Sequence, residues 1–220
     1  MAKQPEPTIV GETLSDIQKG VEEHECPKVV IIGHGPSCLR KYWGKEIDKY
    51  PVVRMKTPDW QFNMVGDYGR RTDYQAFSNE TAGGHANYKG IQPKEYWVQT
   101  KKHVVKCANL LNNRGIPYRI PMKTFWTWNE VFKGIWDHGV SNFSLGMFCI
   151  MMSLEFLKTK EIFLVGFDNL LHPDMDVYYK AHRGKWNTGH NWKAENEFLH
   201  ILLNHYKAEY RDKPWESETK

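Results

Sequence analysis

The segment Gly33-His34-Gly35-Pro36-Ser37 follows directly on the apolar run Val29–Ile32. Glycines at the end of a strand let the backbone approach a ligand closely. The N–H groups at the head of a following helix, with the Ser37 hydroxyl, then offer donors to an anion. The third glycine of a dinucleotide fingerprint and the terminal Lys-Ser/Thr of a P-loop are both absent, so a plain strand-to-helix turn is the competing reading. Ser144-Leu145-Gly146 opens a second apolar segment. A Ser and a Gly at a helix mouth could meet a phosphate oxygen or a ribose, although a Ser placed there is more often an N-cap. Tyr178 and Tyr179 offer phenolic donors to a leaving phosphate, against the plainer reading of one packed and one exposed ring. His190 stands just before a helical pattern, with Glu195 five residues on. A histidine held near a substrate hydroxyl can act as general base at neutral pH, and Glu195 would orient it or cap the helix. The alternative is a surface histidine in a Gly-Asn loop. Arg70 and Arg71 are either a solvated pair or an anchor for an anion, and Arg54 is expected at the same end of the sheet. His34, His172, His182 and His190 form no HxH or HxxxH pair, so no metal site is expected.

These groups need elements to carry them. Val29–Ile32 reads as a strand buried on both faces of a parallel sheet, and "YPVVRM" as a second strand. Residues 57–90, rich in Gly, Asp, Asn and Tyr, read as a long irregular region. "PKEYWVQTKKHVVKCANLLNN" reads as one amphipathic helix and "NEVFKGIWDHG" as another. "SLGMFCIMMSLEFLKTK" reads as a buried helix, "EIFLVGFDNL" as a strand opening at Gly166 and Asp168, and "NWKAENEFLHILLNHYKAEY" as a long amphipathic helix. Strands alternating with helices indicate an α/β fold, a single Rossmann-like domain with a mostly parallel sheet flanked by helices. Ligands of such sheets bind beyond the carboxyl ends of the strands, at the switch point, which places Gly33–Ser37 and Gly166–Asp168 near a site. Residues 1–27 are expected to be a polar leader with one short helix near "SDIQKGVEEH". Residues 28–210 form the domain, and 211–220 a frayed polar tail.

The bulk composition narrows the function. A chain of 220 residues builds one core. A net charge of +4 suits an anionic small ligand and falls short of a dedicated nucleic-acid surface. No apolar stretch approaches the roughly 20 residues of a membrane span, and no secretory signal opens the chain. Cys26, Cys38, Cys107 and Cys149 lack metal-type spacing, so free thiols in a reducing compartment are expected, in the cytoplasm of a bacterium or of a phage-infected cell.

Taken in order, the segments resemble the sialyltransferases. "VVIIGHGPSCL … IDKYPVVRMK" is similar to their long motif. "SLGMFCIMMSLEFLKTKEIFLVGFD" is similar to their small motif, "VYYK" to the aromatic motif and "HNWKAE" to the very small His-x4-Glu motif. "YGRRTD" is similar to the loop after the long motif. Parts are shared with the eukaryotic-type family and parts with the smaller bacterial one. The resemblance implies a GT-A-like variant fold that uses a cytidine monophosphate (CMP) sugar donor and a glycan or other hydroxyl acceptor. It further implies inversion, no cofactor and no metal. Gly33, His34, Gly35, Pro36, Ser37, Arg54, Lys56, Ser144, Leu145, Gly146, Gly166 and Asp168 would hold the donor. His190 would be the base, with Tyr178 and Tyr179 at the leaving phosphate and Glu195, Arg71 and Thr72 in support. Trp60, Trp186 and Trp192 would stack on acceptor sugar. The sequence departs from the pattern at His34 and Lys56, where relatives carry Asn, at Leu145, where they carry Thr, and at Val177, where the aromatic motif begins with His. These departures keep other readings open, a CMP or other nucleotide binder of the same fold without transfer, or a transferase using another nucleotide sugar. A dehydrogenase-like dinucleotide binder needs an acid after the second strand, where this chain has Val53-Arg54-Met55-Lys56.

Overall fold

The computed structural model describes residues 16–19, 24–35, 37, 39–56, 64–78, 93–100, 104–113, 115, 117–121, 123–136, 143–172 and 190–212. Among them runs one sheet built from β1 (Asp16–Lys19), β2 (Lys28–Ile32), β3 (Val52–Met55), β4 (Tyr74–Ser78), β5 (Glu95–Gln99), β6 (Tyr118–Pro121), β7 (Glu161–Val165) and β8 (Glu209–Arg211). Their order across the sheet is β1-β6-β5-β4-β3-β2-β7-β8. The seven strands from β6 to β8 are parallel, and β1 alone is antiparallel, along β6.

The strands form where the sequence supplies apolar, β-favouring residues on both faces. On one face Val29, Ile31, Val53, Tyr74, Trp97, Ile162 and Leu164 pack under three helices: α4 (Lys123–Ile135), α5 (Leu145–Glu155) and α7 (Trp192–Tyr206). On the other face Val30, Ile32, Val52, Phe163 and Val165 meet Ile47 of α1 (Gly44–Ile47) and Tyr68 of α2 (Val65–Tyr68). Further along that face Phe77, Tyr96, Val98 and Tyr118 meet Val104, Cys107 and Leu111 of α3 (Val104–Asn112). A four-residue α6 (Asp168–Leu171) follows β7. The buried helix read from "SLGMFCIMMSLE" is α5, whose residues from Met147 to Leu154 are all buried.

Three expectations are corrected. The segment near "SDIQKGVEEH" contributes a strand, β1, not a helix. "PKEYWVQTKKHVVKCANLLNN" holds β5 followed by α3, because Tyr96-Trp97-Val98 are buried on both sides as only a central strand allows. Residues 57–90 are not wholly irregular, since they contain α2 and β4.

Strand order reverses between β2 and β7. From β2 the chain steps one way through β3 to β6, and β7 and β8 lie on the other side. The crevice at that reversal, beyond the carboxyl ends of β2 and β7, is where a sheet of this kind holds a ligand.

Candidate functional site at the β2–β7 switch point

The two turns that leave β2 and β7 are packed backbone to backbone. Gly33 N–H donates to Val165 O at 2.6 Å and Gly35 N–H to Gly166 O at 2.8 Å. A Cβ on Gly33 would overlap the Gly166 carbonyl oxygen and lie 3.1 Å from the Phe167 ring. Gly166 itself has φ +69°, a conformation that suits glycine. From the β7 side, Gly166 N–H donates to Ser37 Oγ at 3.1 Å, and Ser37 N–H points at Asp168 Oδ2 at 3.3 Å. Tyr68 OH donates to Gly35 O at 2.9 Å and steadies the turn from the opposite face. At the end of β3 Lys56 has φ +56°, a left-handed conformation that a non-glycine residue adopts at a cost of about 1–3 kcal/mol. Its N–H donates to Ala76 O and its carbonyl accepts from Gln75 Nε2, and these bonds hold it there. His34 Nε2 lies 3.2 Å from Met55 O, beside it.

Helices α5 and α7 bring their amino ends to the same edge. The β5 end reaches α5 through Gln99 Nε2, which donates to Phe143 O at 2.9 Å. A Cβ at Gly146, in the first turn of α5, would lie 2.9 Å from Phe167, so this glycine lets the helix sit against the β7 turn. Ser144 caps α5, accepting from Met147 N–H at 3.2 Å, and donates its hydroxyl hydrogen to Glu195 Oε2 at 2.6 Å. Glu195 Oε1 accepts from Ser144 N–H at 2.9 Å. Glu195 is 1% exposed and lies in the first turn of α7, which Asn191 caps through Ala194 N–H. His190 stands just ahead of that turn. Its Nδ1 is buried, makes no hydrogen bond among the described residues and sits 3.5 Å from Glu195 Oε1, while the ring as a whole is partly open to solvent. Its ring centroid is 5.2 Å from that of Trp192.

The carboxyl ends of the strands therefore gather Gly33, His34, Gly35, Ser37, Lys56, Ser144, Leu145, Gly146, Gly166, Asp168, His190 and Glu195. Pro36, Tyr178 and Tyr179, with Trp60 and Trp186, lie outside the described residues. Ser144 follows its simpler reading, an N-cap, and its one hydroxyl hydrogen is already committed to Glu195.

Three expected contributors make contacts within the protein. Arg54 is fully buried, and its guanidinium donates to Tyr68 O, Gly69 O, Arg71 O and Thr72 Oγ1 at 2.8–3.1 Å. Through these bonds it ties the α2 loop to the sheet. Arg71 and Thr72 lead into β4 and so lie toward the amino ends of the strands, because every strand from β6 to β8 points the same way. Arg71 pairs with Asp73 (2.6 and 3.1 Å), and Asp73 Oδ2 also accepts from Val52 N–H at the start of β3. Lys94, at the start of β5, completes this cluster at 3.1 Å. Burial raises the Asp73 pKa, but hydrogen bonds from Arg71, Val52 and Lys94 outweigh it and leave the carboxyl below its ordinary value.

Phe167, Tyr68 and Asn191 were not singled out in the sequence. Phe167 is 6% exposed and is the spacer between Gly33 and Gly146. The signal for it was the glycines on either side of the gap, each marking a place where something large comes close. Among the described residues no group of three His, Cys, Asp or Glu could hold a metal ion, and no helix is long and apolar enough to cross a membrane.

No family model matches this chain, and no curated protein matches it by sequence. Its fold is similar to that of a mammalian sialyltransferase crystallised in complex with Gal-β1-3GalNAc-ortho-nitrophenol. The identity is 18% and the TM-score 0.52, over 84% of this chain and 69% of that one. A second crystal structure of a mammalian sialyltransferase gives 17% and 0.55 over the same shares. At such identities the likeness is one of fold: the chain has a sialyltransferase-like α/β fold.

Proposed function

We propose that this protein is a glycosyltransferase that moves a sialic-acid-like sugar from a CMP-sugar donor to an acceptor hydroxyl, with inversion. One observation carries the reading. His190 sits beside the buried Glu195 at the carboxyl-end edge of the sheet, in a fold similar to that of the sialyltransferases. Glu195 is fixed by two bonds from Ser144 and faces Nδ1 from 3.5 Å; a small approach of the ring on binding would let it accept a hydrogen bond from Nδ1–H and leave Nε2 as the proton acceptor. Nε2 takes the proton of the acceptor hydroxyl. The oxygen forms a bond to the anomeric carbon as the bond from that carbon to the phosphate oxygen breaks, and CMP leaves with the electron pair. Tyr178 and Tyr179 donate to the departing phosphate. Holding acceptor and donor in line supplies much of the rate, and the general base contributes about 10²–10⁴-fold. The reaction so written calls for no metal. The free thiols Cys26, Cys107 and Cys149 fit a reducing compartment such as the cytoplasm of a bacterium or of a phage-infected cell.

His190→Ala tests the assignment. CMP binding by calorimetry is expected to stay within a few-fold of wild type, while transfer from a CMP-sugar falls by about 10²–10⁴-fold. Retained turnover overturns the base assignment. A second reading, nucleotide binding without transfer, is favoured by His34 and Lys56 at positions where the resembling family has Asn. Slow hydrolysis of a bound CMP-sugar by the wild-type protein separates the two, since a site competent for transfer shows it and a binder does not.

A further inference from the structure

We infer that Asp168 determines nucleotide specificity: its carboxylate takes the ribose hydroxyls of the donor, and the glycine turn beneath it is not a phosphate cradle. The inference deepens the nucleotide-donor reading and rests on it.

An anion cradle needs backbone N–H groups that converge on an unfilled point. In the turn after β2 those of Gly33, Gly35 and Ser37 are used otherwise. Gly33 and Gly35 donate to carbonyls of Val165 and Gly166. Pro36 has no N–H, and Ser37 N–H already faces Asp168 Oδ2 at 3.3 Å. A Cβ built on Gly35 would overlap Asp168 Oδ2 and lie 2.8 Å from Cγ. The carboxylate thus lies directly over the Gly35 backbone, where the anion would have to sit. A phosphate there would meet a negative charge at contact distance, and two like charges so close repel.

A carboxylate accepts hydrogen bonds and donates none, so its natural ligands are hydroxyl and amino groups. Asp168 Oδ2 is shared with Ser37, and among the described residues Oδ1 has no partner. The side chain is half-buried beyond the carboxyl end of β7, with one oxygen anchored by Ser37. In dinucleotide folds an acid at a strand end reads ribose hydroxyls, and there it follows the second strand. Here β3 ends in Arg54-Met55 and is followed by Lys56, and the acid follows β7, across the switch point. The nucleotide is then oriented with its ribose over Gly35 and its phosphate away from Asp168.

Calorimetric titration of the full chain with CMP, 2′-deoxy-CMP and 2′,3′-dideoxy-CMP tests this. Wild type is expected to bind CMP about 10–100-fold more tightly than the dideoxy analogue, the scale of hydrogen bonds to a charged group. Asp168→Asn is expected to weaken CMP and to shrink that ratio to about threefold or less, with the melting temperature of the free protein unchanged. Equal wild-type affinity for CMP and the dideoxy compound overturns the inference while leaving the donor reading intact. So does tighter CMP binding by Asp168→Asn, which would put the carboxylate against the phosphate. Should the variant fold poorly, the wild-type comparison alone decides. Failure of wild type to bind any cytidine nucleotide overturns the donor reading, and this inference with it.

Discussion

Glu195 is the residue on which the candidate site turns. One buried carboxylate accepts from the Ser144 amide and hydroxyl and faces the His190 ring. Glu195→Gln keeps the shape but sets an NH2 group against one of the two Ser144 donors. A buried donor left without a partner costs about 1–3 kcal/mol, and a loss of that size is expected in chemical denaturation. Ser144→Ala removes the α5 cap and one of the bonds to Glu195, so a loss of about 1–2 kcal/mol is expected by the same measurement. A change below the error of the titration in both variants would mean that the carboxylate is not the anchor described. The His190–Glu195 spacing was legible in the sequence because both lie within one helical turn of the α7 start. The Ser144 partnership was not, because 51 residues separate the two and no local pattern encodes such a contact. Arg54 misled for a related reason: a buried arginine that binds four main-chain and side-chain oxygens looks, in one dimension, like one waiting for a phosphate.

At the level of elements, the β2–β7 junction depends on bare backbone. Gly33→Ala would drive a methyl into the Gly166 carbonyl, which belongs to the main chain and cannot swing aside. Gly134, near the end of α4, has nothing within 4 Å of its would-be Cβ. Gly134→Ala is therefore expected to stabilise the protein by about 0.5–1 kcal/mol through helix propensity. Gly33→Ala is expected to lower the melting temperature and to weaken nucleotide binding together. Opposite signs for the two in thermal melts check the argument, and a neutral Gly33→Ala would sink it. The central strands could be read because Val, Ile, Leu and Phe cluster in them without alternation. β5 was hidden because Tyr96-Trp97-Val98 runs within a few residues into the apolar positions of α3, and a short apolar run fits either period. β1 was hidden because Asp-Ile-Gln-Lys carries no strand pattern of its own; it is a strand because β6 offers an edge.

For the molecule as a whole, the two ends of the sheet have separate tasks. The carboxyl ends carry the candidate site, and the amino ends of β3, β4 and β5 are joined by Asp73 with Arg71, Lys94 and the Val52 amide. The Asp73 carboxyl is held below its ordinary value, so in the folded chain it stays ionised to lower pH than in the unfolded one. Its contribution is complete above the unfolded value of about 4 and is lost as pH falls through the depressed folded value. Asp73→Asn is expected to cost about 1–3 kcal/mol at pH 7 and to converge on wild type in acid, read from unfolding curves taken from pH 7 downward. A difference that stays constant with pH would show that charge is not what Asp73 supplies.

The antiparallel strand β1 has a practical consequence for anyone shortening this chain. Its backbone covers the outer edge of β6, whose own residues Tyr118, Arg119, Ile120 and Pro121 are all buried. A protein started at Lys28, where the apolar pattern first becomes obvious, would lose that cover and present a bare, largely apolar strand edge to its neighbours. Such a product is expected to scatter light and elute early on a sizing column at concentrations where the full chain stays clear, with its candidate site untouched by the cut.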